Sequence, residues 1–355
     1  MDHLNIAVIP RTLRLRSGST PPEESPYARC WKRSLVALGM TLICVHAMAQ
    51  DTFPSRPLRL IVSFPTGGGA DLTARVVGQK MGDLLGQPVV VENRPGANGL
   101  VGCDAVAKSA PDGYTLLETD RAALGANPSL YKKLPYDPLS DFEYLGIVTS
   151  APYVLVIDPR LPAKTLAEFR ALSKARPGSL NYGSYGVASM AQLNIEALKA
   201  RMGIDLTHVP YKGAGAAIQA VVAGEAAATI ASPPGVLGFV RDGRLRAIAF
   251  GAKARSPLLP DVPTLAEAGA QSGNEDDTLV PTYFAFALPA RTPPAIVQRL
   301  GDTMRSAVKS PEIAERLDKA GLEPTGGTGA ELLELLKSDI ARFRGIIQNI
   351  GIQPE

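Results

Sequence analysis

Twice along the chain, about 115 residues apart, an apolar strand runs into a glycine-rich turn that opens a helix. Leu58–Phe64 leads into Pro65-Thr66-Gly67-Gly68-Gly69-Ala70-Asp71, and Leu180–Gly183 leads into Ser184-Tyr185-Gly186-Val187-Ala188-Ser189. After Asp71 the apolar residues Leu72, Val76, Val77, Met81, Leu84 and Leu85 keep helical spacing until Gly86 and Pro88 stop it. Strand and helix patterns continue to alternate. Further strands read at Val89–Glu92, Tyr114–Leu117, Tyr153–Ile157, Leu206–Val209, Ala226–Ile230, Leu245–Phe250 and Tyr283–Leu288, and the tail is helical over Ile296–Val308, Glu312–Ala320 and Glu331–Ile350. Thr165 with Glu168 and Ser189 with Gln192 have capping-box spacing at two helix starts. Without hairpin signals, these strands are expected in parallel sheets covered by helices on both faces. Two α/β units with a helical tail imply a chain that crosses to a second lobe and returns.

The N-terminal region reads as an export signal. Arg29, Lys32 and Arg33 precede an apolar run, Leu35–Ala47, that ends in Ala47-Met48-Ala49, a small-x-small cleavage pattern. A run of this length falls short of the roughly 20 residues needed to span a bilayer. Cleavage is expected between Ala49 and Gln50, with export to the periplasm, and residues 1–28 read as the product of a start codon assigned too far upstream.

Cleavage changes what chemistry the chain can perform. The whole sequence has 37 Lys+Arg and 34 Asp+Glu, but six of those basic and three of those acidic residues precede Gln50, leaving 31 of each. A neutral chain gives no case for nucleic acid or a membrane surface as partner. His208 and Cys103 are the last of their kinds after the cut, and no Trp survives it. Two such residues cannot make a structural zinc site, and one Cys makes no internal disulfide. No Gly-x-Ser-x-Gly elbow surrounds any Ser. No metal, cofactor or catalytic residue is expected, His208 reads as a structural histidine, and Cys103 as an inert core thiol.

The two glycine-rich turns therefore carry the function. In open α/β sheets ligands sit beyond the carboxyl ends of strands, where a helix start offers unpaired N–H groups and about half a positive charge. Two such starts facing one another would grip a carboxylate. Neither turn matches a dinucleotide or P-loop fingerprint.

At residue level the chain resembles the tripartite tricarboxylate transporter substrate-binding proteins, the Bug receptors. The matching stretches are SRPLRLIVSFPTGGGADLTAR (Ser55–Arg75), LGQPVVVENRPGANG (Leu85–Gly99), PDGYTLL (Pro111–Leu117), NPSLYKKLPYDPLSDF (Asn127–Phe142), THVPYKGAGAA (Thr207–Ala217) and LPDVPTLAEAG (Leu259–Gly269). The resemblance implies a type II periplasmic-binding-protein fold, two α/β lobes joined by two crossing strands with a ligand cleft between them. Lobe 1 is expected at 50–151 plus 273–355 and lobe 2 at 152–272. It also implies a receptor, not an enzyme, that captures a small carboxylate, partly through ordered water, and delivers it to the large and small membrane subunits of a transporter. The receptor is expected to act as a monomer.

Ligand contacts are expected from Phe64, Thr66, Gly67, Gly68, Gly69, Ala70 and Asp71, from Gly183, Ser184, Gly186, Val187 and Ser189, and from Tyr211. Asp71 could equally accept N–H groups at its helix start or pair with Arg75. Several positions depart from the family pattern. Gln192-Leu193 stands where His-Leu is usual, Tyr283-Phe284-Ala285 where Trp-Phe-Gly is common, and Ala231 where an Asp is frequent. Glu118-Thr119-Asp120-Arg121 replaces a small hydroxylated segment, so Asp120 and Arg121 join the candidate site. Arg121 could hold a second ligand carboxylate or pair with Asp120 at the rim. Two other readings stay open, a co-receptor for a membrane signalling protein and an exported enzyme acting on a carboxylate.

Overall fold

The computed structural model describes residues 53–270 and 279–354. The expected leader, its cleavage site and the second lobe boundary at 272/273 lie outside the described residues.

Two sheets organise the chain. The first has six strands in the order β11-β4-β10-β3-β1-β2: β1 Leu58–Val62, β2 Val89–Asn93, β3 Thr115–Asp120, β4 Phe142–Ala151, β10 Thr282–Pro289 and β11 Glu323–Pro324. The second has five in the order β7-β6-β8-β5-β9: β5 Val154–Ile157, β6 Asn181–Ser184, β7 Thr207–Pro210, β8 Ala228–Ala231 and β9 Arg246–Phe250. The helices are α1 Gly69–Leu85, α2 Leu100–Ala107, α3 Arg121–Gly125, α4 Leu166–Ala175, α5 Met190–Met202, α6 Ala214–Ala223, α7 Pro233–Arg241, α8 Pro294–Lys309, α9 Pro311–Ala320 and α10 Gly329–Asn349.

The sheets are mixed, which corrects the all-parallel expectation. β1 runs parallel to β2 and β3, and β6 to β7 and β8, but β10 is antiparallel to both β3 and β4, and β5 to both β8 and β9. The cause is the crossing itself. Only Pro152 and Tyr153 separate β4 from β5, so β5 enters the second sheet from the end toward which β6 and β8 run, and β10 does the same on the return. The Gly251 N–H donates to the Tyr153 carbonyl at 2.8 Å, holding the end of β9 to the start of β5.

β4, ten residues long, has no counterpart in the strands read from sequence. Gly146 interrupts its pattern at φ +138, and a Cβ there would lie 2.0 Å from the Gly327 carbonyl oxygen. Glycine is required for that approach, and the register of β4 against β10 shifts on either side of Gly146–Ile147.

Alternation along the central strands supplies both faces of the first sheet. Leu58, Leu60 and Val62 pack with Ala74, Val77, Leu300 and Met304, whereas Ile61 and Leu117 pack with Cys103, Val106, Leu332 and Leu336. Helix α10 serves both sheets. Its Leu332 and Leu336 belong to the first-sheet core, while Phe343 and Ile347 join the cluster holding Leu155, Tyr182 and Leu193 of the second. Thr328 and Glu331 cap α10 reciprocally, and the capping box expected at Thr165 and Glu168 is formed on α4.

Candidate functional site

Three helices begin at one cavity between the sheets. Gly68, Gly69 and Ala70 bring the start of α1, Ala214 and Gly215 that of α6, and Ser232 that of α7. None of the three starts has a side-chain cap: the N-caps are Gly68, Gly213 and Ser232, and no side chain accepts from the first turn. The first intrahelical bond in α1 is Leu72 N–H to the Gly68 carbonyl, at 3.0 Å, so the Gly69, Ala70 and Asp71 N–H groups have no helical acceptor. α7 contributes chiefly its dipole, because Pro233 and Pro234 carry no N–H.

Glycine makes the geometry possible. At Gly68 an added Cβ would stand in open space on the cavity wall, whereas at Gly69 it would lie 2.7 Å from the Phe284 ring. Gly213, at φ +108, lets its backbone meet Pro65, with a Cβ there falling 2.7 Å from Pro65 Cγ. That contact closes the first loop against the turn before α6. Phe64, Pro65, Thr66, Tyr153, Tyr185, Thr282 and Phe284 complete the walls, and Asp120 is the charged residue among them.

Asp120 caps α3. Its Oδ1 accepts from the Ala122 and Ala123 N–H groups at 2.9 and 3.0 Å, and no donor among the described residues reaches Oδ2. Burial pushes its carboxyl up to about 7, with the two N–H bonds pulling the other way. Glu118, on the same face of β3, is wholly buried, and neither carboxyl oxygen has a partner among the described residues. Burial, then the charges of Asp120 and Asp71, drive its pKa well above the ordinary value.

Arg121 does neither thing expected of it. Its Nε donates to Asp339 Oδ2 at 2.9 Å, Nη2 pairs with Asp339 Oδ1, and Nη1 donates to the Pro281 carbonyl at 3.0 Å. The guanidinium is thus buried against α10 and the returning pass, not at a rim with Asp120. Asp339 lies 218 residues away, a partner that local sequence cannot signal.

Asp71 is turned from the cavity. Its carboxylate accepts from Gly67 N–H, Arg75 Nε and Asn93 Nδ2, at 3.1, 3.0 and 3.0 Å. Burial raises its pKa, but the Arg75, Gly67 and Asn93 hydrogen bonds outweigh that and leave it below the ordinary value. Asp71 thereby fixes the loop that exposes Gly68–Ala70.

The second glycine-rich turn folds onto itself. Ser184 Oγ lies 2.6 Å from His208 Nε2 and 2.9 Å from the Gly186 carbonyl, which also accepts from Ser189 Oγ at 2.8 Å. The capping box expected at Ser189 and Gln192 does not form. Gln192 Oε1 instead accepts from Ala188 N–H at 2.6 Å, because Ser189 Oγ is engaged by Gly186. Gly183, Ser184 and Ser189 lie behind the loop, and a Cβ on Gly183 would meet the Tyr211 ring at 3.2 Å. Gly186, Val187 and Tyr211 face a second, outer cavity with Lys212 and Tyr131, which shares Phe64, Pro65 and Tyr185 with the first. His208 stacks on Tyr182 with ring centroids 5.0 Å apart. The Ser184–His208 distance suits a nucleophile and its base, yet Ser184 is fully buried and lines neither cavity. Cys103 is buried beside Thr119, and burial pushes its thiol up to about 12. Among the described residues no cluster of His, Cys, Asp or Glu could hold a metal ion, and no helix is long and apolar enough to cross a membrane.

Of the residues expected at the site, Phe64, Thr66, Gly68, Gly69, Ala70 and Asp120 meet at the inner cavity, and Gly67 stays in the loop behind it. Sequence reasoning passed over Tyr153, Tyr185, Ala214, Gly215, Ser232, Thr282 and Phe284. Three of these carried a usable signal. Ala214 and Gly215 directly follow Tyr211-Lys212-Gly213, the turn holding the expected contact Tyr211, and Ser232 opens Ser232-Pro233-Pro234, a further strand-to-helix turn.

The architecture and much of the sequence recur in known proteins. BugT of Bordetella pertussis is 37% identical over 305 residues, covering 86% of this chain and 92% of its own. R. palustris Rpa4515 with adipate superposes with a TM-score of 0.81 at 29% identity, covering 85% of this chain and all of that one. MatC from Rhodopseudomonas palustris with bound malate gives a TM-score of 0.76 at 30% identity, covering 83% of this chain and all of that one. Residues 73–352 match the model of the tripartite tricarboxylate transporter family receptor. With uncapped helix starts converging between two mixed sheets, this chain belongs to that family of periplasmic solute-binding receptors.

Proposed function

We propose that the chain captures a small carboxylate-bearing solute between two lobes and hands it, chemically unchanged, to the large and small membrane subunits of a tripartite transporter. The observation that carries this reading is the convergence of three uncapped helix starts on one cavity. The ligand carboxylate accepts from the N–H groups of Gly69, Ala70 and the start of α6, each dipole adding roughly 0.3–1 kcal/mol. That adipate and malate accompany two structural relatives supports the ligand class. The lobes run over residues 50–151 with 273–355 and over 152–272, and the protein works in the periplasm after loss of its leader. Closure follows from the ligand touching both lobes only when they meet, which shifts the population toward the closed form. Mass spectrometry of ligand released from gently purified protein, with calorimetry against a carboxylate panel, tests the reading. A carboxylate recovered intact and rebinding supports it, and a protein that neither carries nor binds any carboxylate overturns it.

A further inference from the structure

Besides the helix starts, the lining of the inner cavity is acidic and aromatic. Asp120 is 5% exposed, lines the cavity, and leaves Oδ2 without a donor among the described residues. Phe64, Tyr153, Tyr185 and Phe284 surround the same space, and no Lys or Arg lines it. The cavity therefore offers two kinds of lining, N–H groups with positive dipole ends and an acid among π faces. A carboxylate suits the first. The second suits a cation, since aromatic rings and a carboxylate both attract an ammonium while a second carboxylate would face Asp120 with no base to offset it.

Resting on the carboxylate reading of the same cavity, we infer that Asp120 is the specificity-determining residue that selects ligands carrying an ammonium group as well as a carboxylate. The amine donates to Oδ2 while Oδ1 keeps capping α3, so recognition requires no rearrangement of the strand end. Burial leaves Asp120 reluctant to ionise, and it raises the carboxyl of Glu118, two residues earlier on β3, in the same direction. An ammonium in contact restores the ionised carboxylate by pairing with it. The Tyr153 hydroxyl, beside those of Tyr185 and Thr282, provides further polar contact on this wall.

The test is calorimetry with ligands paired to differ in one group: propanoate against alanine, glutarate against 4-aminobutanoate, and adipate against 6-aminohexanoate. At least one amine-bearing member is expected to bind about 10-fold or more tightly than its partner, a gap of about 1.4 kcal/mol. Asp120→Asn keeps an oxygen to cap α3 and is expected to erase that gap without lowering the melting temperature appreciably. Asp120→Ser, which also caps a helix, repeats the measurement if the Asn form folds poorly. Amine-free members binding as tightly as their partners, or a preference unchanged in both variants, overturns the role of Asp120 while leaving carboxylate capture standing. Failure of every ligand to bind the unmodified protein overturns both.

Discussion

The first glycine-rich loop presents a helix start to the inner cavity, whereas the second ties the backbone of Gly186 and Ala188 to its own side chains. Both are a strand, a glycine turn and a helix start. The difference lies in where the neighbouring side chains point. Asp71 leans back onto Arg75 and Asn93, so no side chain among the described residues caps Gly69 and Ala70. In the second loop Gln192 accepts from Ala188 N–H, Ser184 Oγ from Gly186 N–H, and Ser189 Oγ donates to the Gly186 carbonyl. An anion-binding helix start is one left unsatisfied by its own sequence and open to a cavity; neither N-cap makes a side-chain bond to its own helix, and of the two starts that of α1 lines the inner cavity.

The largest effect should come from removing the group that holds the first loop open. Asp71→Ala leaves Gly67 N–H, Asn93 Nδ2 and the Arg75 guanidinium without their shared acceptor. Hydrogen bonds to charged groups contribute about 1.5–3 kcal/mol each when buried, and Arg75 is half exposed, so a loss of about 2 kcal/mol is expected in denaturant unfolding. Ser184→Ala in the second loop should cost about 1 kcal/mol, the neutral value. Equal losses would mean that the two loops are held alike.

Next comes a contrast between two glycines that look equivalent in sequence. Gly68→Val places its side chain in the open cavity and should weaken carboxylate binding by about 10-fold or more, or about 1.4 kcal/mol, with the fold intact. Gly183→Val instead presses on the Tyr211 ring and Ala217, and should lower the melting temperature before it touches affinity. Calorimetry and thermal unfolding of both variants separate these outcomes, and a Gly68 variant with unaltered affinity would remove the first loop from the site.

Much of this was legible beforehand because it is local. Strand and helix periods, the Thr165–Glu168 cap and the first loop all rest on neighbours within a few residues. What was not legible depends on distant partners. The antiparallel strands follow from the chain's crossing, Arg121 from Asp339, and β4 from a glycine that admits the Gly327 carbonyl. The second loop misled for a related reason. Its Ser189–Gln192 spacing fits a capping box, but the Gly186 carbonyl competes for Ser189 Oγ.

The smallest expected difference is in acid sensitivity, and it distinguishes the loops by which group titrates. His208, bonded to Ser184, is held below the ordinary histidine value by burial, with Glu196 opposing the shift and Lys199 adding to it. A lowered folded pKa means that the unfolded chain takes up the proton first. The stability His208 provides is therefore complete above about pH 6.5 and is lost as the pH falls toward the folded value. Asp71 also has a lowered folded pKa, but its unfolded value is near 3.8, so the first loop keeps its support until well below the range in which the second begins to lose it. Hydrogen exchange followed from about pH 7 to about pH 5 should speed up at the amides of residues 184–189, once corrected for intrinsic rates, while those of residues 66–71 stay protected. His208→Phe, which keeps a ring to stack on Tyr182 but cannot titrate, should abolish the difference. If acid loosens both loops together, or the variant retains the same pH response, His208 is not what separates them.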